Sequence, residues 1–190
     1  MKKIILVILL ISPELAFSQI TWGTKAGANV TTLGDFNSGL NPLLRLHAGF
    51  YYKQRLEEQY GLSIEIQYSM QGASSATINQ QYLAYNYLNL PLLLTFYFSD
   101  NVFVEIGPQF GYLLYAVTHN GDIKQSITDS LKRFDLAALI GVGKETSFGN
   151  YGARAIYGLT NTSGAPVGTD FVFRNLLLQL YVGVTLGQLN

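Results

Sequence analysis

The sequence predicts an all-β fold: an eight-stranded antiparallel up-and-down transmembrane β-barrel with short periplasmic turns and longer extracellular loops. Three observations lead there. Eight segments alternate apolar and polar residues with the period of a pleated strand. Their connections alternate long and short, as expected of an outer-membrane barrel. Charged residues make up only 13% of the 190 residues, against about 25% in a soluble domain, and aromatic residues match them at 13%.

Residues 1–18 read as a secretory signal. Lys2 and Lys3 supply the positive start, Ile4–Ile11 is an unbroken apolar run, and Ala16-Phe17-Ser18 is a small-x-small cleavage site before Gln19. The run is too short to cross a bilayer, which needs about 20 residues. Residues 19–190 then form one outer-membrane β-barrel domain.

The strands follow in order. In 20–30, Trp22, Ala26, Ala28 and Val30 oppose Gly23, Lys25, Gly27 and Asn29. In 43–53, Leu44, Leu46, Ala48, Phe50 and Tyr52 oppose Arg45, His47, Gly49 and Lys53. The clearest case is 60–70, where Tyr60, Leu62, Ile64, Ile66, Tyr68 and Met70 oppose Gly61, Ser63, Glu65, Gln67 and Ser69. In 87–98, Leu88, Leu90, Leu92, Leu94, Phe96 and Phe98 share a face, and in 101–114 Val102, Val104, Ile106, Phe110, Tyr112 and Leu114 oppose Glu105, Gly107, Gln109 and Gly111. Segment 133–145 has the periodicity of a short buried helix as well, but Gly141, Gly143 and its flanks favour a strand with Asp135 and Glu145 on the polar side. In 151–160, Tyr151, Ala153, Ala155, Tyr157 and Leu159 oppose Arg154 and two glycines, and in 175–187 Leu176 to Leu186 alternate against Asn175, Gln179, Gly183 and Thr185. The long connections are 31–42, 71–86, 115–132 and 161–174; the short ones are 54–59, 99–100 and 146–150. Trp22, Tyr52, Tyr60, Phe98 and Tyr151 fall near the short-turn side, and Tyr68, Tyr112 and Phe134 near the long-loop side, as two interfacial girdles would.

A soluble lipocalin-type barrel has the same strand count, but its exterior should carry the charges. Here the large apolar residues outnumber all else on one face and isolated charges and glycines occupy the other, which suits lipid outside and a crowded lumen within. The inward set by parity is Lys25, Arg45, His47, Lys53, Glu65, Glu105, Asp135, Glu145 and Arg154, a barrel-lumen charge network. Eight strands leave an interior just filled by side chains, and unpaired buried charges are costly. The expectation is a salt-bridged plug that fixes register; the alternative is a proton or ion path, since polar groups within a membrane often mark one.

Other chemistries find little support. The chain has no cysteine, so disulfides, thiol catalysis and cysteine metal sites are excluded. Lys plus Arg equals Asp plus Glu at 12 each, so no basic field exists for nucleic acid. Only His47 and His119 exist, neither in a recognisable spacing with a serine and acid, and no clustered metal ligands or phosphate-binding glycine motif occur. We expect no enzyme activity, no metal and no cofactor.

GTKAGANVT (23–31), EIQYSMQGA (65–73), YLNLPLLL (87–94), EIGPQFGYLL (105–114), FDLAALIGVG (134–143) and ARAIYGLTN (153–161) resemble the PorT-type outer-membrane β-barrel domain common in Bacteroidetes. The resemblance implies residence in the bacterial cell outer membrane, with outer-membrane lipid as surroundings. It leaves three functional readings open: a structural or surface-interaction barrel with a protein partner at its extracellular loops, an accessory of a type IX secretion complex, and a small pore or lipid-modifying outer-membrane enzyme. Intact mass of the membrane-extracted protein is expected to begin at Gln19; retention of Lys2 and Lys3 would overturn the export signal.

Overall fold

A computed structural model describes residues 19–34, 40–75, 81–98, 101–163 and 174–189. The proposed signal 1–18 and most of the 161–174 connection lie outside them. Nine strands form one antiparallel sheet: β1 (Gln19–Leu33), β2 (Leu40–Arg55), β3 (Tyr60–Ser75), β4 (Gln81–Tyr97), β5 (Val102–Asn120), β6 (Ile123–Ser126), β7 (Phe134–Thr146), β8 (Gly149–Gly158) and β9 (Asn175–Leu189). Each barrel strand pairs with its neighbour in sequence, β7 follows β5 around the ring, and β9 returns to β1 from Ile20↔Leu189 to Leu33↔Asn175. Eight strands therefore close a ring. β6 is an added strand on β5, outside the closed circuit. No helix among the described residues is long and apolar enough to cross a membrane; the chain crosses with strands.

The faces follow from period two. Ile64 is 49% exposed on the outer wall, whereas its neighbours Ser63 and Glu65 are each 1% exposed inside. Leu44, Leu46, Phe50, Ile66, Ile140 and Leu180 continue the outer apolar surface. In water this wall would be a large aggregation-prone patch; in a bilayer it matches its solvent. The girdles hold together across strands. Trp22 lies opposite Tyr52, Tyr60 packs edge-on against Phe96 at 5.6 Å between centroids, and Tyr112 lies opposite Phe134 with their rings 5.2 Å apart.

Two features differ from the sequence expectation. On the loop side most of the described residues of the connections 31–42, 71–86 and 115–132 are strand: β1 runs to Leu33, β2 starts at Leu40, β3 and β4 continue to Ser75 and from Gln81, and β5 extends to Asn120. The alternation that marks a lipid-facing strand ends at the girdle, and a bulge shifts the β4–β5 register between Asn86 and Tyr87. It leaves consecutive Leu114 and Tyr115 both exposed and reverses the parity of β5 beyond them. The second correction concerns the lumen, which is not polar throughout. Leu33, Ala73, Tyr85, Tyr87, Leu113 and Ala116 form a buried apolar cluster at its loop end, and Leu93, Ala137, Leu139, Ile156 and Leu177 form another against the inner wall.

Ile64→Arg should cost about 2–4 kcal/mol, the penalty of a base facing mid-bilayer lipid. The unfolding free energy, or the folded fraction by heat-dependent gel mobility, measures it. Wild-type folding of that variant would mean the two faces are reversed.

Candidate functional site in the barrel lumen

Glu65 projects from β3 into the middle of the ring. Arg154 on β8 meets it with two parallel bonds, Nη1 to Oε2 and Nη2 to Oε1, both 2.7 Å. Lys25 on β1 donates to Oε1 at 2.5 Å, and Gln67 donates to Oε2. Arg154 Nε reaches across to Glu105 Oε1 on β5 at 2.5 Å, and Tyr181 on β9 donates its hydroxyl to the same oxygen at 3.2 Å. The ring of Tyr181 lies under both cations, 4.0 Å from Lys25 Nζ and 4.5 Å from Arg154 Cζ. Two acids and two bases thus form one buried cluster of zero net charge. A bidentate guanidinium–carboxylate pair is the strongest geometry such groups offer, and it offsets desolvation that would otherwise cost several kcal/mol per ion. Gly141 makes the approach possible: a Cβ there would sit 2.8 Å from Arg154 Cγ and 2.9 Å from Glu105 Oε1.

Neutral groups extend the cluster toward the loop side. Gln179 donates to Asn29 at 3.1 Å, and Asn29 donates to Ser69 Oγ and to the Met70 carbonyl, both at 3.1 Å. Toward the turns lies a second, smaller centre. Lys53 Nζ and the Tyr97 hydroxyl both donate to Glu145 Oε1 at 3.0 Å, and Lys53 Nζ stands 4.0 Å from the Phe103 ring centroid.

The nine residues singled out by parity are not all joined. Lys25, Glu65, Glu105 and Arg154 come together, and Lys53 pairs with Glu145. Asp135 is held by neutral groups: Thr160 and Asn175 donate to its two oxygens, the latter at 2.8 Å. Arg45 has no carboxylate partner among the described residues; its guanidinium lies 5.2 Å from the centroid of Tyr82, whose ring stacks on His119 at 4.2 Å. His47 is buried opposite Ser69, yet neither ring nitrogen has a partner among the described residues, and Ser69 accepts from Asn29 and Gln71. No group of three His, Asp or Glu residues that could hold a metal occurs among the described residues. The neutral partners were missed by a reading confined to charges. Asn29, Gln67 and Gln179 were already on the inward face by parity, and Tyr97, Phe103 and Tyr181 share that parity on their own strands.

Residues 13–164 match the sequence profile of a family described as outer membrane protein beta-barrel domain. Among solved structures, Neisserial surface protein A (NspA) superposes with a TM-score of 0.59 at 13% identity, over 86% of this chain and 96% of its own. Ail, the attachment invasion locus protein of Yersinia pestis, gives 0.52 at 12% identity over 90% and 99% of the two chains. Ail in complex with the heparin analogue sucrose octasulfate gives 0.53 at 10%, with the same coverage. At these identities the likeness is one of fold. No curated protein matches the chain.

Glu65→Ala should destabilise the barrel by about 3–5 kcal/mol, because it strands Lys25 and half of Arg154. A double-mutant cycle of Glu65 with Arg154 should return a coupling of at least about 1 kcal/mol, and one of Glu65 with Lys53 a value near zero. Equal couplings would contradict the separate centres.

Proposed function

We propose, for a chain that belongs to the outer membrane protein beta-barrel domain family, a non-enzymatic role at the cell surface, exerted through its loop-side sheet. Family and fold place it in the bacterial outer membrane. The observation that carries the proposal is the continuation of β3, β4 and β5 past the aromatic girdle, joined there by β6. From Tyr112 to Asn120 β5 runs eight residues further, roughly 26 Å along the strand. That extension is a stiff ladder, with Thr128 Oγ1 accepting from the Ala116 amide and donating back to its carbonyl. Its outermost strand presents Ile123, 70% exposed, beside exposed Lys124 and Gln125. A rigid exposed edge is a ready surface for a partner. Ail, one of the structural neighbours, holds a sulfated sugar analogue, which supports an extracellular role for this architecture.

The lumen charge network has a structural task in this reading. It neutralises the interior and fixes register, and with the apolar cluster above it the barrel is a closed plug. The role of type IX secretion accessory rests on the PorT-type resemblance, and it differs in where the partner sits.

A photo-crosslinker placed at Ile123 on the loop side and, separately, at Leu56 on the turn side separates the readings in intact cells. Adducts at Ile123 alone are expected. Adducts at Leu56 alone would favour a periplasmic secretion partner and overturn the surface role, and steady ohmic conductance in planar bilayers would replace the plug by a pore.

A further inference from the structure

The turn-side mouth of the lumen holds a polar cavity of about 320 Å³, lined in part by Tyr51, Arg55, Glu145, Asn150 and Thr185. These residues come from β2, β7, β8 and β9, so the cavity is built on paired strands. The Tyr51 hydroxyl lies 2.9 Å from Thr185 Oγ1. Gly183 leaves room between Tyr51 and Asn150: a Cβ there would stand 3.1 Å from Tyr51 Cε1 and 2.9 Å from Asn150 Oδ1. Asn150 is 2% exposed, and its Oδ1 has no hydrogen-bond partner among the described residues. A buried amide oxygen without a donor is costly, and this one borders a cavity of ligand size.

The two charges of the lining are not alike. Glu145 is neutralised by Lys53 at 3.0 Å. Arg55 has no carboxylate partner among the described residues. Its guanidinium is nonetheless held in place, 4.1 Å from the Tyr97 ring centroid and with Nη2 donating to the Glu58 carbonyl at 2.7 Å. Among the described residues, the lining thus combines one unmatched positive charge with one unmatched buried acceptor. We propose that this mouth binds a short peptide acid, its terminal carboxylate on Arg55 and a backbone N–H on Asn150 Oδ1. A guanidinium and a carboxylate match in charge and in shape, and capture of a terminal carboxylate is a recurring mode of peptide recognition. A simple anion would leave Asn150 without a donor, and an amine-bearing cation would meet Arg55 with like charge. The site takes a chain end and no folded protein. It lies at the opposite end of the barrel from the loop-side edge assigned above and stands without it.

Chemical-shift titration of the full chain in nanodiscs tests the site. The probes are N-acetyl-alanyl-alanine, the same peptide with its C-terminus amidated, and N-acetylglucosamine. Wild type should bind the acid about tenfold more tightly than the amide, the worth of one charge-assisted pair. Arg55→Gln should bring the acid to the level of the amide and leave the amide unchanged, and Asn150→Leu should weaken both. Heat-dependent gel mobility checks that each variant is folded. Arg55 ends β2 and is half-buried, so its variant decides the matter even where Asn150→Leu fails to fold. Lys124→Gln, on the loop side, should leave both affinities unchanged. Equal binding of acid and amide by wild type, or wild-type binding of the acid by Arg55→Gln, overturns the site. Tighter binding of N-acetylglucosamine than of the acid would overturn the peptide and reassign the cavity to a saccharide.

Discussion

Hydrocarbon offers no hydrogen-bond partner to a backbone amide, and this constraint organises the molecule. Every N–H and C=O at membrane depth must find a neighbour within the protein, so a sheet that crosses must close on itself. β1 and β9 supply that closure. Closing at eight strands sets the size of the interior, which is then just wide enough for side chains. A charge inside has no room for bulk water and must meet its opposite. The pairing of Glu65 with Arg154 and Lys25, and of Arg154 with Glu105, is thus a consequence of the ring's circumference. The same crowding explains why Gly141 lacks a side chain where the guanidinium passes.

The strands keep one geometry while their surroundings change. Between the girdles the outward residues are mainly apolar and the inward ones are mostly polar, apart from Leu93, Ala137, Leu139, Ile156 and Leu177. Beyond them, on the loop side, Leu33, Tyr85, Tyr87, Leu113 and Ala116 point inward beside buried Thr31, Gln71 and Asn86, and the exposed positions mix Asn120, Lys124 and Gln125 with Tyr115 and Ile123. The outward face follows its solvent, mainly apolar residues where lipid covers it and a mixture where water does. The bulge beside Asn86 and Tyr87 lies at that change, and its extra residue lets β5 exchange its faces without leaving the sheet.

How much of this was legible follows from what period two can report. Which way Ile64, Glu65 or Arg154 points is a local property, readable from immediate neighbours, and so the wall and the inward set were evident. Partner choice is not local. Lys53 meets Glu145 and Glu65 meets Arg154 across the ring, and those meetings depend on the stagger between strands that never touch. Asp135 is bound by Thr160 and Asn175, neutral residues that no search for opposite charges would select. The loop-side strands were hidden for a different reason. Their apolar residues point inward, and β5 also slips by one residue, so a search for outward apolar alternation ends at Leu114 although the ladder goes on.

The seam between β1 and β9 has a consequence for the order of assembly. It joins Ile20 to Leu189, positions far apart in the sequence, whereas each hairpin joins near neighbours. Contacts of such long sequence separation carry the largest loop-closure entropy and form late. Before that seam shuts, Lys25 and Glu65 lie at one end of the sheet, two strands apart, and Arg154 and Glu105 at the other. A charge carried singly to mid-bilayer is expensive. Lys25–Glu65 and Arg154–Glu105 each join strands two apart on one side of the seam, so closure of the ring adds the pair between them, Glu65 with Arg154.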